Sequence, residues 1–180
     1  MHKTWESNIF GIEPSGKGVA RIEIDESKII GNSDKIIWMF GMIDRVDKEA
    51  RIYCVKEDRT QEILLNIVKN NVYTFNDNLD DETTFNTRIY SDCLARYQPL
   101  AFKNAGYKLH RFNDSVWFGS GLFHTNSIEG LWSQLKRLIK DFSGLTIDKL
   151  SKLEAKGVDI KDYLNSWIYF RLYLSTYRKI

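Results

Sequence analysis

Val19-Ala20-Arg21-Ile22-Glu23-Ile24-Asp25 alternates apolar and polar side chains and stops on an acid. A period of two is the signature of a half-buried strand, so this stretch predicts a β-strand ending at Asp25. Working outward, Ile36-Ile37-Trp38-Met39-Phe40-Gly41-Met42-Ile43 is apolar throughout, as expected of a strand buried on both faces. Asp47-Lys48-Glu49 then reads as a turn into a third strand, Arg51-Ile52-Tyr53-Cys54-Val55. Three consecutive strands joined by short connections predict an antiparallel meander. On the other side, residues 1–18 hold Gly11, Pro14, Gly16 and Gly18 among polar residues and read as an irregular arm.

Beyond the meander the period changes. Ile63, Leu64, Ile67 and Val68 form one helical stripe. Residues 76–82 are an acidic loop, expected to be solvated because the ligand spacing and central Gly of an EF-hand are missing. Thr87-Arg88-Ile89-Tyr90-Ser91-Asp92 predicts a fourth strand, again ending on an acid. A helix through Leu94 and Tyr97 is expected to stop around Pro99, and Ala105 to His110 to form a short fifth strand. A loop through Trp117, Gly119 and Gly121 leads to a helix over 126–142, which Gly144 ends. On that helix Ile128, Leu131, Trp132, Leu135, Leu138, Ile139 and Phe142 share an apolar arc, and Glu129, Ser133, Lys136 and Lys140 line one edge. Ile160, Tyr163, Leu164, Trp167, Ile168, Arg171 and Leu174 mark a closing helix packed on the sheet.

Composition bounds the function. The 180 residues, 43% of them apolar, suffice for one domain with its own core. No apolar run approaches the ~18 residues needed to span a bilayer, and the first residues lack the apolar stretch of a secretion signal, so an intracellular protein is expected. Cys54 and Cys93 are far apart in sequence and are expected to be buried thiols, not zinc ligands or a disulfide. A net charge of +2 implies no nucleic acid by itself, so a DNA surface has to come from local clustering. Arg45, Arg59, Arg111, Lys136, Arg137 and Lys140 are the candidates for such a basic rim.

The element order, three strands, helix, strand, helix, strand and long helix, is that of a ribonuclease-H-like α/β fold. The expected architecture is a five-stranded mixed sheet, a three-strand antiparallel meander plus two parallel strands, flanked by helices. Residues 1–18 would be an arm, 19–143 the catalytic domain and 144–180 a C-terminal helical extension packed on it. In that fold acids at the ends of two neighbouring strands and one on a late helix converge; here they are Asp25, Asp92 and Glu129. Two Mg²⁺ ions about 3.5–4 Å apart clamp the attacking and leaving oxygens of an in-line phosphoryl displacement, and hard cations demand oxygen ligands. Lys136 falls within about 20° of Glu129 around the helix, where a phosphate or terminal base would lie. Ordinary roles compete for each residue: an Asp after a strand serves as a turn or cap residue, Lys136 as a solvated lysine, and Asn126 with Glu129 as a capping box.

Ile24-Asp25-Glu26-Ser27-Lys28, Trp38-Met39-Phe40-Gly41, Tyr90-Ser91-Asp92 and above all His124-Thr125-Asn126-Ser127-Ile128-Glu129-Gly130-Leu131-Trp132, with Lys136, resemble the catalytic domain of ISXO2/IS1595 and Merlin transposases of the DDE superfamily. The resemblance covers residues 18 to 142 and continues loosely over Tyr163 to Arg171. It implies DNA strand cleavage and transfer with two Mg²⁺ or Mn²⁺ ions per site. It also implies Asp25, Asp92 and Glu129 as the metal-binding triad, Lys136 beside them, and Asn126 and His124 as accessory residues. Transposon ends and target DNA would be the partners, a homo-oligomer the active form, and the location the nucleus or the bacterial cytoplasm and nucleoid according to host. Three departures bear on recognition of transposon ends. No zinc-ribbon or helix-turn-helix fits in residues 1–18, so end recognition is expected to lie outside this chain. The segment Ile29 to Lys35 is short where relatives carry a Gly- and Arg/Lys-rich loop, and Asn113-Asp114-Ser115 stands where many have Asn-His-Ser. A non-catalytic DNA-binding or assembly module derived from such a transposase, and a ribonuclease-H-like nuclease, are the competing functions.

Overall fold

The computed structural model describes residues 20–31, 35–46, 48–56, 58–74, 87–92, 97–112, 126–141 and 145–177, with side chains through 169 except at 141. The elements run β1 (Ala20–Gly31), β2 (Ile36–Asp44), β3 (Ala50–Lys56), α1 (Gln61–Asn71), β4 (Thr87–Asp92), α2 (Pro99–Asn104), β5 (Lys108–Phe112), α3 (Asn126–Asp141), α4 (Ile147–Glu154) and α5 (Ile160–Tyr177). One sheet in the order β3-β2-β1-β4-β5 organises them. β1–β2 and β2–β3 pair antiparallel, and β1–β4 and β4–β5 pair parallel. The expected α/β class and mixed five-stranded sheet are therefore the observed ones.

Strand alternation sends apolar side chains to both faces. Ile22 and Ile24 of β1, Phe40 and Met42 of β2, Val55 of β3 and Ile89 of β4 pack against α1, α2 and Tyr107. On the opposite face Ile37, Met39 and Ile43 of β2 with Ile52 and Cys54 of β3 meet α3, α4 and α5. Helix α5 also covers an edge: Asn165 Oδ1 accepts the Cys54 backbone N–H at 2.7 Å, satisfying an outward donor of edge strand β3. Among the described residues no helix is long and apolar enough to cross a membrane.

Several expectations need correction. β1 does not end at Asp25; it runs to Gly31, because the antiparallel ladder with β2 continues to the pair Gly31–Ile36. The helix expected to stop at Pro99 begins there instead. Proline's missing N–H is one of the donors the first turn leaves unpaired anyway, and its fixed φ suits that position. The fifth strand starts at Lys108, not Ala105, since Gly106 turns the chain at φ +88°. Helix α4, capped by Thr146 Oγ1 accepting from Lys149 N–H at 3.2 Å, was not expected from the sequence. The N-terminal arm, the acidic loop 76–82, Cys93, Leu94, residues 113–115, the loop at 117–121, His124, Phe142 and Gly144 lie outside the described residues.

Candidate functional site

The parallel ladder between β1 and β4 ends at the pair Glu23–Tyr90, while β1 continues beside β2. Asp25 and Asp92 each sit two residues beyond that last pair, at the same level and on the face that α3 covers. This is the crevice beyond the carboxyl end of a parallel strand where sites form in open α/β sheets. The two carboxylates sense each other. Burial drives the Asp25 carboxyl up from its ordinary 3.8 to about 7, a hydrogen bond from Trp132 pulls it down, and the charge of Asp92 pushes it up again.

Three contacts seat α3 over this crevice. Trp132 donates its indole N–H to Asp25 Oδ2 at 2.9 Å. The ring reaches that oxygen by crossing β2 at Gly41, the antiparallel partner of Asp25; a Cβ there would lie 2.7 Å from two carbons of the indole and 3.1 Å from Ile128 Cδ1. Glu23, fully buried, accepts the backbone N–H of Ile128 at 2.9 Å and an N–H of Arg45 at 2.8 Å. A carboxylate at a helix N-terminus suits both the unpaired amides and the macrodipole. Helix α3 begins at Asn126, where the sequence predicts the N-cap, and the amide of its third residue is taken by an acid 105 residues earlier in the chain.

Behind the crevice, buried Glu26 accepts the O–H of buried Tyr97. Burial, then the charge of Glu26, holds the Tyr97 hydroxyl well above its ordinary range, and Asp25 and Asp92 add to the effect. Tyr97 therefore stays a neutral donor and ties the segment ahead of α2 to β1.

The structure brings Asp25 and Asp92 together and sets Glu129 on the exposed side of the first turn of α3, three residues before Trp132. Among the described residues no three His, Cys, Asp or Glu side chains form a ready cation-binding group. The pair Asp25–Asp92 fits a divalent cation in donor chemistry, since two like-charged carboxylates at one level need a counter-charge. Lys136, Arg137 and Lys140 are exposed on α3, and Asn126 is exposed at its start. The rim candidates divide. Arg45 is no rim residue: its side chain is 10% exposed, paired with Glu23, with its guanidinium 3.8 Å from the Tyr90 ring centroid. Arg59 stacks on Trp38 at 3.5 Å. Arg111 is exposed and reaches the Tyr97 carbonyl at 3.5 Å, behind the crevice.

Trp132, Gly41, Glu23 and Tyr97 were not expected as site residues. Trp132 sits on an apolar arc, and nothing in the helical period distinguishes an indole that packs from one that donates. Glu23 could have been found. It shares a strand face with Asp25, opposite the all-apolar β2, so a polar side chain there must be satisfied by whatever helix covers it.

No protein-family model matches the chain, and no curated protein matches it. Among solved structures, a chain of the cryo-EM structure of the simian T-cell lymphotropic virus intasome in complex with PP2A regulatory subunit B56 gamma is similar over 83% of this chain, at 13% identity and a TM-score of 0.42. The match spans 48% of that chain, about half its length.

Proposed function

We propose that this chain is a ribonuclease-H-like catalytic domain of the DDE superfamily, similar to ISXO2/IS1595 and Merlin transposases, that cuts and joins DNA strands. The observation that carries the reading is the pair Asp25–Asp92, level on adjacent parallel strands, with α3 held to Asp25 through Trp132. Asp25, Asp92 and Glu129 would hold Mg²⁺ or Mn²⁺. When bound, the metal supplies Lewis-acid stabilisation of the charge that develops on phosphoryl oxygens. The chain's own groups do the positioning. Trp132 fixes which oxygen of Asp25 remains for a ligand, Glu23 anchors the turn that carries Glu129, and exposed Lys136 offers a cation to the DNA backbone on the same side of α3.

A non-catalytic DNA-binding or assembly module is the second reading, favoured by one observation: the three acids do not form a ready ligand group. Nicking assays with Mg²⁺ or Mn²⁺ on duplex DNA, hairpin DNA and an RNA–DNA hybrid separate these readings. The transposase reading expects metal-dependent cleavage of DNA that Asp92→Asn abolishes. Cleavage confined to the hybrid points to a ribonuclease, and no cleavage of any substrate points to the non-catalytic module.

A further inference from the structure

The face of the sheet that carries Asp25 and Asp92 has three residue rows running across β1, β4 and β5. The parallel registers Arg21–Arg88 and Arg88–Lys108 set three cations side by side. Two residues further on, Glu23, Tyr90 and His110 share a level, and two beyond that Asp92 pairs with Phe112 beside Asp25. Tyr90 stacks on His110 and Phe112, with ring centroids 5.1 and 5.9 Å apart and planes within 16°. Of the helices of this face, α3 packs on β1 and β2 and α5 on β3.

From these placements we infer that Arg21, Arg88 and Lys108 form a phosphate-binding track for the backbone of the DNA whose scissile bond lies at Asp25 and Asp92. The inference rests on the DNA-processing reading of that site. Like charges directly opposite on neighbouring strands, about 4.8 Å apart, repel and destabilise the sheet. Here the repulsion is not relieved internally at two of the three: neither Arg21 nor Arg88 has an ion-pair partner among the described residues, and the buried Arg88 Nε has no hydrogen-bond acceptor. An anion supplied from outside would answer the charge of Arg21 and Arg88. All three residues remain partly accessible, and Lys108 stands on the edge strand of the sheet. Four residues along a strand is about 13 Å, roughly four nucleotide rises of duplex. A strand seated at the acids would therefore run its backbone onto the cations.

The test is fluorescence anisotropy of a short labelled duplex with the full chain, in chelator and over a salt series, so that binding is read without cleavage. Arg21→Gln with Arg88→Gln and Lys108→Gln should lower the slope of log affinity against log salt by about 0.9 per lost contact. Lys149→Gln with Lys152→Gln and Lys156→Gln, which removes the same charge from exposed positions on and just after α4, should leave the slope unchanged. If the triple row variant does not fold, Arg21→Gln and Lys108→Gln singly should each lower it by about 0.9, and Arg88→Lys should keep it. A wild-type slope in the row variants overturns the track. The catalytic reading fails separately: a chain that never nicks DNA but loses slope with the row keeps the track, and a chain that nicks normally with an unchanged slope loses it.

Discussion

Gly41→Ala adds one methyl at the place where β2 passes beneath Trp132, and its effect can be worked from the geometry. The new Cβ would sit 2.7 Å from Cη2 and Cζ2 of the indole, closer than carbon atoms tolerate, so the ring must move. Overpacking of this kind costs about 1–3 kcal/mol. Because the displaced ring carries the N–H that holds Asp25, the change also weakens a hydrogen bond to a charged acceptor, worth about 1.5–3 kcal/mol when intact. Trp132→Phe removes both the donor and the outer ring carbons that the methyl would strike. In that background the remaining tight contact is the end of the Ile128 side chain at 3.1 Å, which has to give by only a few tenths of an ångström, so Gly41→Ala should cost less than about 1 kcal/mol. Urea unfolding of wild type, both single variants and the double variant yields the coupling directly, expected at about 1–3 kcal/mol in favour of the double variant. The pH dependence supplies a second readout. The hydrogen bond favours ionised Asp25, so Trp132→Phe should move its titration further up, and should cost more stability at pH 8 than at pH 5. Gly41→Ala costing the same in both backgrounds would refute the indole's role as the link between α3 and Asp25.

Asp25→Asn should be stabilising at pH 8 and neutral near pH 4. The folded carboxyl titrates at about 7 against an ordinary 3.8, so the native state binds the extra proton between those values and wild-type stability falls as pH rises through that window; thermal melts across pH 4–8 should show the fall in wild type and its loss in the variant. Arg45→Ala leaves Glu23 buried and unpaired and should destabilise by about 3–5 kcal/mol, measured by urea unfolding, whereas a surface DNA contact would cost affinity and little stability. Mn²⁺ should raise the melting temperature by mass action, a rise that Asp92→Asn abolishes; no rise in wild type would count against the metal site. Glu129→Gln, at an exposed position, should leave metal-free stability unchanged and lower DNA cleavage at least about a hundredfold.

By itself the sequence determined the strands and most of the helices, because period-two alternation over Val19–Asp25 and 3.6-residue stripes on α1, α3 and α5 are local consequences of backbone geometry. It also nominated Asp25 and Asp92 by their place on two strands. It misjudged ends: whether β1 stops at Asp25 depends on how far β2 runs beside it, and Pro99 opens a helix because Gln98 before it is extended while Phe102 after it packs into the core. Register was beyond it. That Asp25 lies opposite Gly41, that Glu23 meets the Ile128 amide, and that Arg21, Arg88 and Lys108 stand in one row are pairings between segments separated by 16 to 105 residues, fixed only when both faces of the sheet find their helices. The same holds for Trp132 and Arg45. An indole on an apolar arc and an arginine in a turn are ordinary surface-and-core choices until the fold places a carboxylate within hydrogen-bonding distance of each.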